Sequence, residues 1–127
     1  WVAEISPDRA RCFMTSRPVG QPANQPGSKI EVSKTVGLSR SKITIDGNYL
    51  TGQTLQVTMK VDQSAPSFFY TFNGTAQSPN LAIEGAVLRE MFDGSSLSVS
   101  VPGGQVDVFS LIGVTAAHNA IKAFCPN

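Results

Sequence analysis

With 127 residues, ten basic against nine acidic side chains and only 15% charged residues, the chain can bury one hydrophobic core and is too short for two ordinary domains. Residues 1–127 are therefore read as a single domain. Its basic residues are scattered, which argues against a nucleic-acid interface because tracking phosphates needs several cations on one face. Its apolar runs are too short to span a bilayer.

The first half reads as short strands separated by turn chemistry. "WVAEIS" and "RCFMTSRPV" alternate in polarity around Pro7 and Asp8, which predicts an antiparallel pair. "GQPANQPGS", residues 20 to 28, breaks regular structure with two prolines and two glycines. "KIEVSKTV" then places Ile30, Val32 and Val36 on one face and Lys29, Glu31 and Ser33 on the other. "SKITIDGNYL" continues the alternation into the turn signal Asp46-Gly47.

The clearest strand is "TLQVTMKVD", with Leu55, Val57, Met59 and Val61 facing one way. "SFFYTFN" is its expected partner, with Phe68, Tyr70 and Phe72 on one side and Phe69 and Thr71 on the other. Farther on, the apolar period changes. Ile83, Val87, Leu88, Met91 and Phe92 recur at helical spacing, Pro79 suits a first turn and Gly94 a helix end, which predicts a helix from about 80 to 92. "SLSVSV" and "VDVFSL" flank Pro102-Gly103-Gly104 as a hairpin. A closing helix follows, with Val114, Ala117, Ile121 and Phe124 on one stripe and Thr115 as a candidate cap.

Eight or so short strands and two short helices predict a mostly β protein. The expected fold is an antiparallel β-sandwich, Ig-like or related, with one of the helices at the C-terminus. Few strands have a helix-length crossover between them, which disfavours a parallel sheet.

The two cysteines, Cys12 and Cys125, are too far apart for a CxxC motif and too few for structural zinc. In a reducing compartment they are small buried hydrophobes. In an oxidising one they pair and close a loop of about 110 residues, worth about 4 to 5 kcal/mol in the chain-entropy model. The second reading is favoured, because it accounts for a cysteine placed at the end of the last helix. Export then requires a signal peptide already removed, since no charged stretch followed by an apolar one stands at the start.

Chemistry-bearing candidates are sparse. His118 is the only histidine and reads as a half-exposed structural residue, because a general base needs an orienting carboxylate and a nucleophile. Asp46, Asp62, Glu84, Glu90, Asp93 and Asp107 are the available carboxylates, and no calcium loop or nucleophile-elbow motif accompanies them. No metal or cofactor is expected. Phe68, Phe69 and Tyr70 form an aromatic trio that reads first as core, and as a partner-binding or sugar-stacking surface if one side is exposed.

The segments "CFMTSRP", "LQVTMKVDQSAPSFFYTFNGTAQ" and "LREMFDGSSLSVSVPGGQVDVFSLIGVTAAHNAIKAFC" together resemble the invasion-associated locus B family of exported alphaproteobacterial proteins. The resemblance rests on Cys12, Asp62, Met91, Gly94, Phe109, Ser110, Leu111, Gly113, Ala116, Ala117 and Cys125, over about residues 10 to 125. It implies a β-sandwich, placement in the periplasm or at the cell surface of a Gram-negative bacterium, and a link to host-cell invasion. It implies no catalytic residue. The expected function is thus non-enzymatic binding of a protein or envelope component. Two other functions compete: an exported inhibitor of a hydrolase such as a lysozyme, using the loop at 20 to 28, and a small hydrolase assembled from Asp46, Asp107 or His118.

Overall fold

The computed structural model describes residues 1–20, 28–39, 41–46, 54–63, 67–73, 80–84, 86–100 and 106–127. Nine strands and two helices are present among them: β1 (Val2–Ile5), β2 (Arg11–Ser16), β3 (Lys29–Thr35), β4 (Ser41–Asp46), β5 (Thr54–Val61), β6 (Ser67–Asn73), β7 (Asn80–Glu84), α1 (Ala86–Asp93), β8 (Ser96–Ser100), β9 (Val106–Ser110) and α2 (Val114–Phe124). They form two antiparallel sheets, ordered β1-β2-β3-β4-β7 and β6-β5-β8-β9. This is the predicted sandwich.

The core follows from strand alternation, since successive side chains leave a sheet on opposite faces. Cys12 and Met14 on β2, Ile30 and Val32 on β3, and Ile43 and Ile45 on β4 supply the inner face of the first sheet. Val57, Met59 and Val61 on β5, Leu97 and Val99 on β8, and Phe109 on β9 supply that of the second. Burying a side chain of this size stabilises by about 1.5 to 3 kcal/mol, so these residues set the register of both sheets.

The expected pairs β1–β2, β5–β6 and β8–β9 all form. Asp8 ties the β1–β2 turn by accepting from Ser6 Oγ at 2.6 Å and from Ala10 N at 3.0 Å. The Ser6 hydrogen bond, followed by that from Ala10, holds its carboxyl below the usual range.

Four expectations need correction. The helix read from 80 to 92 is a strand followed by a shorter helix: β7 pairs with β4, setting Leu81 opposite Ile45 and Ile83 opposite Ile43, and α1 begins at Ala86. Leu81 and Ile83 alternate as well as they fit a helix, and the ladder to β4 decided between the two. Phe124 leaves the buried stripe at 64% exposure, because Cys125 takes the inward position next to it. Thr115 does not cap α2. Gly113 does so through its backbone, in the left-handed region at φ 84°, where glycine carries no Cβ penalty.

Val36 also lies outside the core at 45% exposure, whereas Lys34 is turned inward at 2%. Its Nζ donates to Leu38 O at 2.7 Å, so the turn that follows its own strand supplies the ammonium with an acceptor. Asp46-Gly47 and the Pro102-Gly103-Gly104 turn are expectations that involve residues outside those described.

Candidate functional site

The outer face of the first sheet carries a cleft of about 610 Å³ where β2, β3 and β4 meet the β3–β4 turn. Arg11, Ser33, Thr35 and Lys42 line it from the strands, and Leu38, Ser39 and Ser41 from the turn and the start of β4. Strand alternation explains the chemistry. Arg11 flanks the buried Cys12, Ser33 sits between the buried Val32 and Lys34, and Lys42 precedes the buried Ile43, so all three leave the sheet on its outer side.

Register fixes their spacing. Arg11 lies opposite Thr35, and Lys42 lies opposite Ser33. The two cations therefore stand two strands apart and two residues out of step, roughly 12 Å between Cα atoms, with the Ser33 and Thr35 hydroxyls between them. Arg11 is held over the Phe13 ring, its Cζ 4.8 Å from the centroid. That contact orients the guanidinium without consuming its hydrogen-bond donors. Among the described residues that line it, none is acidic.

The turn that walls the cleft is tied to the far end of the chain. Val36 N donates to Ala10 O at 2.9 Å, and Gly37 N donates to Pro126 O at 3.0 Å. Next to Pro126, Cys125 lies with its Sγ at bonding distance from that of Cys12, the two Cα atoms 6.0 Å apart and both residues fully buried. The pair thus joins the end of α2 to β2, as the sequence suggested, and also presses the C-terminal segment against the cleft wall.

His118 borders the same region from α2. Its Nε2 lies 3.1 Å from Ser41 Oγ, and its ring is 4.8 Å from that of Phe92. Burial first, then the positive charges of Lys122 and Lys34, hold its pKa below the ordinary value, so the ring is neutral at pH 7.

The carboxylates considered as acid or base groups are placed elsewhere. Asp107 is buried on β9 and accepts a hydrogen bond from Ser28 Oγ. Ser28 and Lys34 mark opposite ends of β3, about 20 Å apart, and Lys34 lies opposite Ser41. Asp107 and His118 are accordingly at opposite ends of the sandwich.

Asp62 accepts from Ser95 N at 3.1 Å and from Ser96 N at 3.1 Å, clamping the entry to β8 from its own left-handed conformation at φ 54°. Glu90 is half-buried and Asp93 exposed on α1; the side chains of Asp46 and Glu84 lie outside the described ones. Among the described residues no three His, Cys, Asp or Glu side chains gather as a metal site, and no helix is long and apolar enough to cross a membrane.

The aromatic trio divides. Phe68 packs against the core, Phe69 is 63% exposed, and the side chain of Tyr70 is outside the described ones. Phe69 therefore stands on the outer face of the second sheet, away from the cleft. Sequence reasoning missed the cleft because its residues are single Ser, Thr, Arg and Lys positions on different strands. The usable signal was the polar outer phase of "RCFMTS" and "KIEVSKT" beside each other, which is visible only once β2 and β3 are paired.

Most residues that carried the family resemblance have structural work. Cys12 and Cys125 pair, and Asp62 clamps β8. Met91, Phe109 and Leu111 are buried, and a Cβ on Gly94 would collide with Val61 Cγ1 and approach Leu111 Cδ1 at 3.1 Å. Ser110 accepts from Ile112 N at 3.2 Å through Oγ and from Trp1 Nε1 at 2.8 Å through its carbonyl.

No protein-family model matches the chain, and no curated protein matches it by sequence. A solved structure does match, the crystal structure of invasion associated protein B from Bartonella henselae: TM-score 0.72, 15% identity, 95% of this chain and 90% of that one covered. The pattern of buried and turn-forming residues read from the sequence, and the path of the chain through two sheets, thus point the same way: this protein has the fold of invasion associated protein B.

Proposed function

We propose that this protein is a non-enzymatic exported member of the invasion-associated locus B family, which binds a protein or envelope component through the cleft on its first sheet. The observation that carries the reading is the cleft itself: two cationic and four hydroxyl-bearing residues line it on a sheet surface, on the fold of invasion associated protein B. Binding groups supported by a rigid scaffold lose little freedom on association. The buried, paired cysteines suit an oxidising compartment, in keeping with export to the periplasm or cell surface.

A hydrolase finds less support. His118 has a hydroxyl neighbour in Ser41, but the named carboxylate Asp107 lies at the other end of β3. The inhibitor reading depends on the loop at 20 to 28, of which residues 21–27 are outside those described.

A photo-crosslinking amino acid at Ser39, with the same group at Phe69 as comparison, tests the proposal in cells. The expected result is an adduct with an envelope component from Ser39 and little from Phe69, in protein that fractionates outside the cytoplasm. Cytoplasmic protein with two free thiols, or adducts from Phe69 alone, would sink it.

A further inference from the structure

We infer that the cleft takes an acidic saccharide, a chain of sugars bearing carboxylate or phosphate groups more than one sugar unit apart. This rests on the binding reading above and assigns its ligand. The two cations, Arg11 and Lys42, rise from the sheet roughly 12 Å apart between Cα atoms, which leaves room for each to hold a separate anionic group. The Ser33 and Thr35 hydroxyls lie between them and can both donate and accept. Cations at the two sides and hydroxyls on the floor match a ligand whose charges are spaced along a hydroxylated backbone. The Phe13 ring under Arg11 holds the guanidinium ready for a bidentate contact to carboxylate or phosphate. Among the described lining residues none is acidic, which favours an anionic ligand. The described lining residues include no aromatic ring, so charge and hydroxyl contacts rather than ring stacking would set its preference.

Soluble polysaccharide and membrane glycolipid both offer this chemistry. Titration of the oxidised protein with a galacturonate octamer, with a neutral glucose octamer of equal length, and with vesicles carrying a phosphorylated lipid-anchored oligosaccharide separates them. The inference expects the acidic octamer or the phosphorylated vesicle to bind and the neutral octamer not to. Arg11→Gln and Lys42→Gln should each weaken binding about tenfold, the scale of one lost charge-assisted hydrogen bond, while Arg89→Ala on exposed α1 leaves it unchanged. Thermal melting confirms that the variants are folded.

Preference for the octamer or for the vesicle supports the inference and decides the source. Equal binding of the neutral octamer, or equal losses from Arg89→Ala and Lys42→Gln, overturns it. If neither acidic saccharide binds while the Ser39 crosslink still captures a protein through the intact cleft, the saccharide assignment falls and the binding reading survives.

Discussion

Two knots hold this sandwich together, and they differ in what lies beside them. One joins β2 to the end of α2 through Cys12 and Cys125, and continues through Pro126 to Gly37 in the wall of the cleft. The other joins β5 to the α1–β8 connection, where Asp62 takes the amides of Ser95 and Ser96 and Gly94 lets the chain pass close to Val61. Both are built from residues that carried the resemblance to a known family. Only the first touches the proposed binding surface. Damage to it should therefore reach binding as well as stability, whereas damage to the second should stop at stability.

The largest effect is expected from Cys12→Ser with Cys125→Ser. Loss of a cross-link over about 110 residues removes about 4 to 5 kcal/mol in the chain-entropy model, a fall in Tm of about 10 to 20 °C. Crosslinking from Ser39 should weaken in parallel, measured well below the lowered Tm. Unchanged capture would separate the first knot from the cleft and break the comparison.

Asp62→Ala comes next, at about 1 to 3 kcal/mol, because two backbone donors lose their acceptor and alanine must enter the left-handed region. Asp62→Asn should cost less, since asparagine tolerates that region and keeps one carbonyl oxygen. Urea unfolding measures both, and Ser39 crosslinking in either folded variant should match the parent. A loss of capture in folded Asp62→Asn would show that the second knot also governs the surface.

The smallest effect concerns acid. Burial, then Lys122 and Lys34, lower the pKa of His118 in the folded state. The unfolded chain therefore binds more protons between that lowered value and the ordinary one near 6.5. Stability from neutral His118 is complete above the ordinary value and declines as pH falls through the window below it. A His118→Gln variant should lose this acid-side slope in unfolding experiments at stepped pH. An identical slope in parent and variant would remove His118 as its source.

How much of this was legible beforehand depended on whether the deciding contacts were local. Strands whose polarity alternates under one rule, such as β5 with Val57, Met59 and Val61 inward, were readable because burial repeats every second residue. The segment from 80 to 84 was not, since Leu81 and Ile83 satisfy both periods and Ile45 and Ile43, which settle the matter, lie far away in the sequence. Lys34 shares the inward phase of Ile30 and Val32, but nothing local in the sequence names a partner for its ammonium. Its burial depends on Leu38 O being presented by a turn whose shape is fixed from Pro126. The cleft needed three paired strands before its residues became neighbours. The aromatic trio drew attention by composition, and the one member shown to be exposed, Phe69, faces away from it.

The bond between Cys12 and Cys125 joins residues 113 positions apart. In an unfolded chain such distant thiols meet seldom, because closing so long a loop is entropically unfavourable and local contacts do not guide them together. Sheet pairing and the docking of α2 must bring them close first. Oxidative refolding with quenched samples should accordingly show Trp1 fluorescence reaching its native value before free thiol is lost; the reverse order would contradict this. With one pair within these residues there is also one intramolecular connectivity. An oxidant alone can then complete the fold, with no mispaired bond to reshuffle, and the disulfide acts as a latch closed after folding rather than as a guide during it.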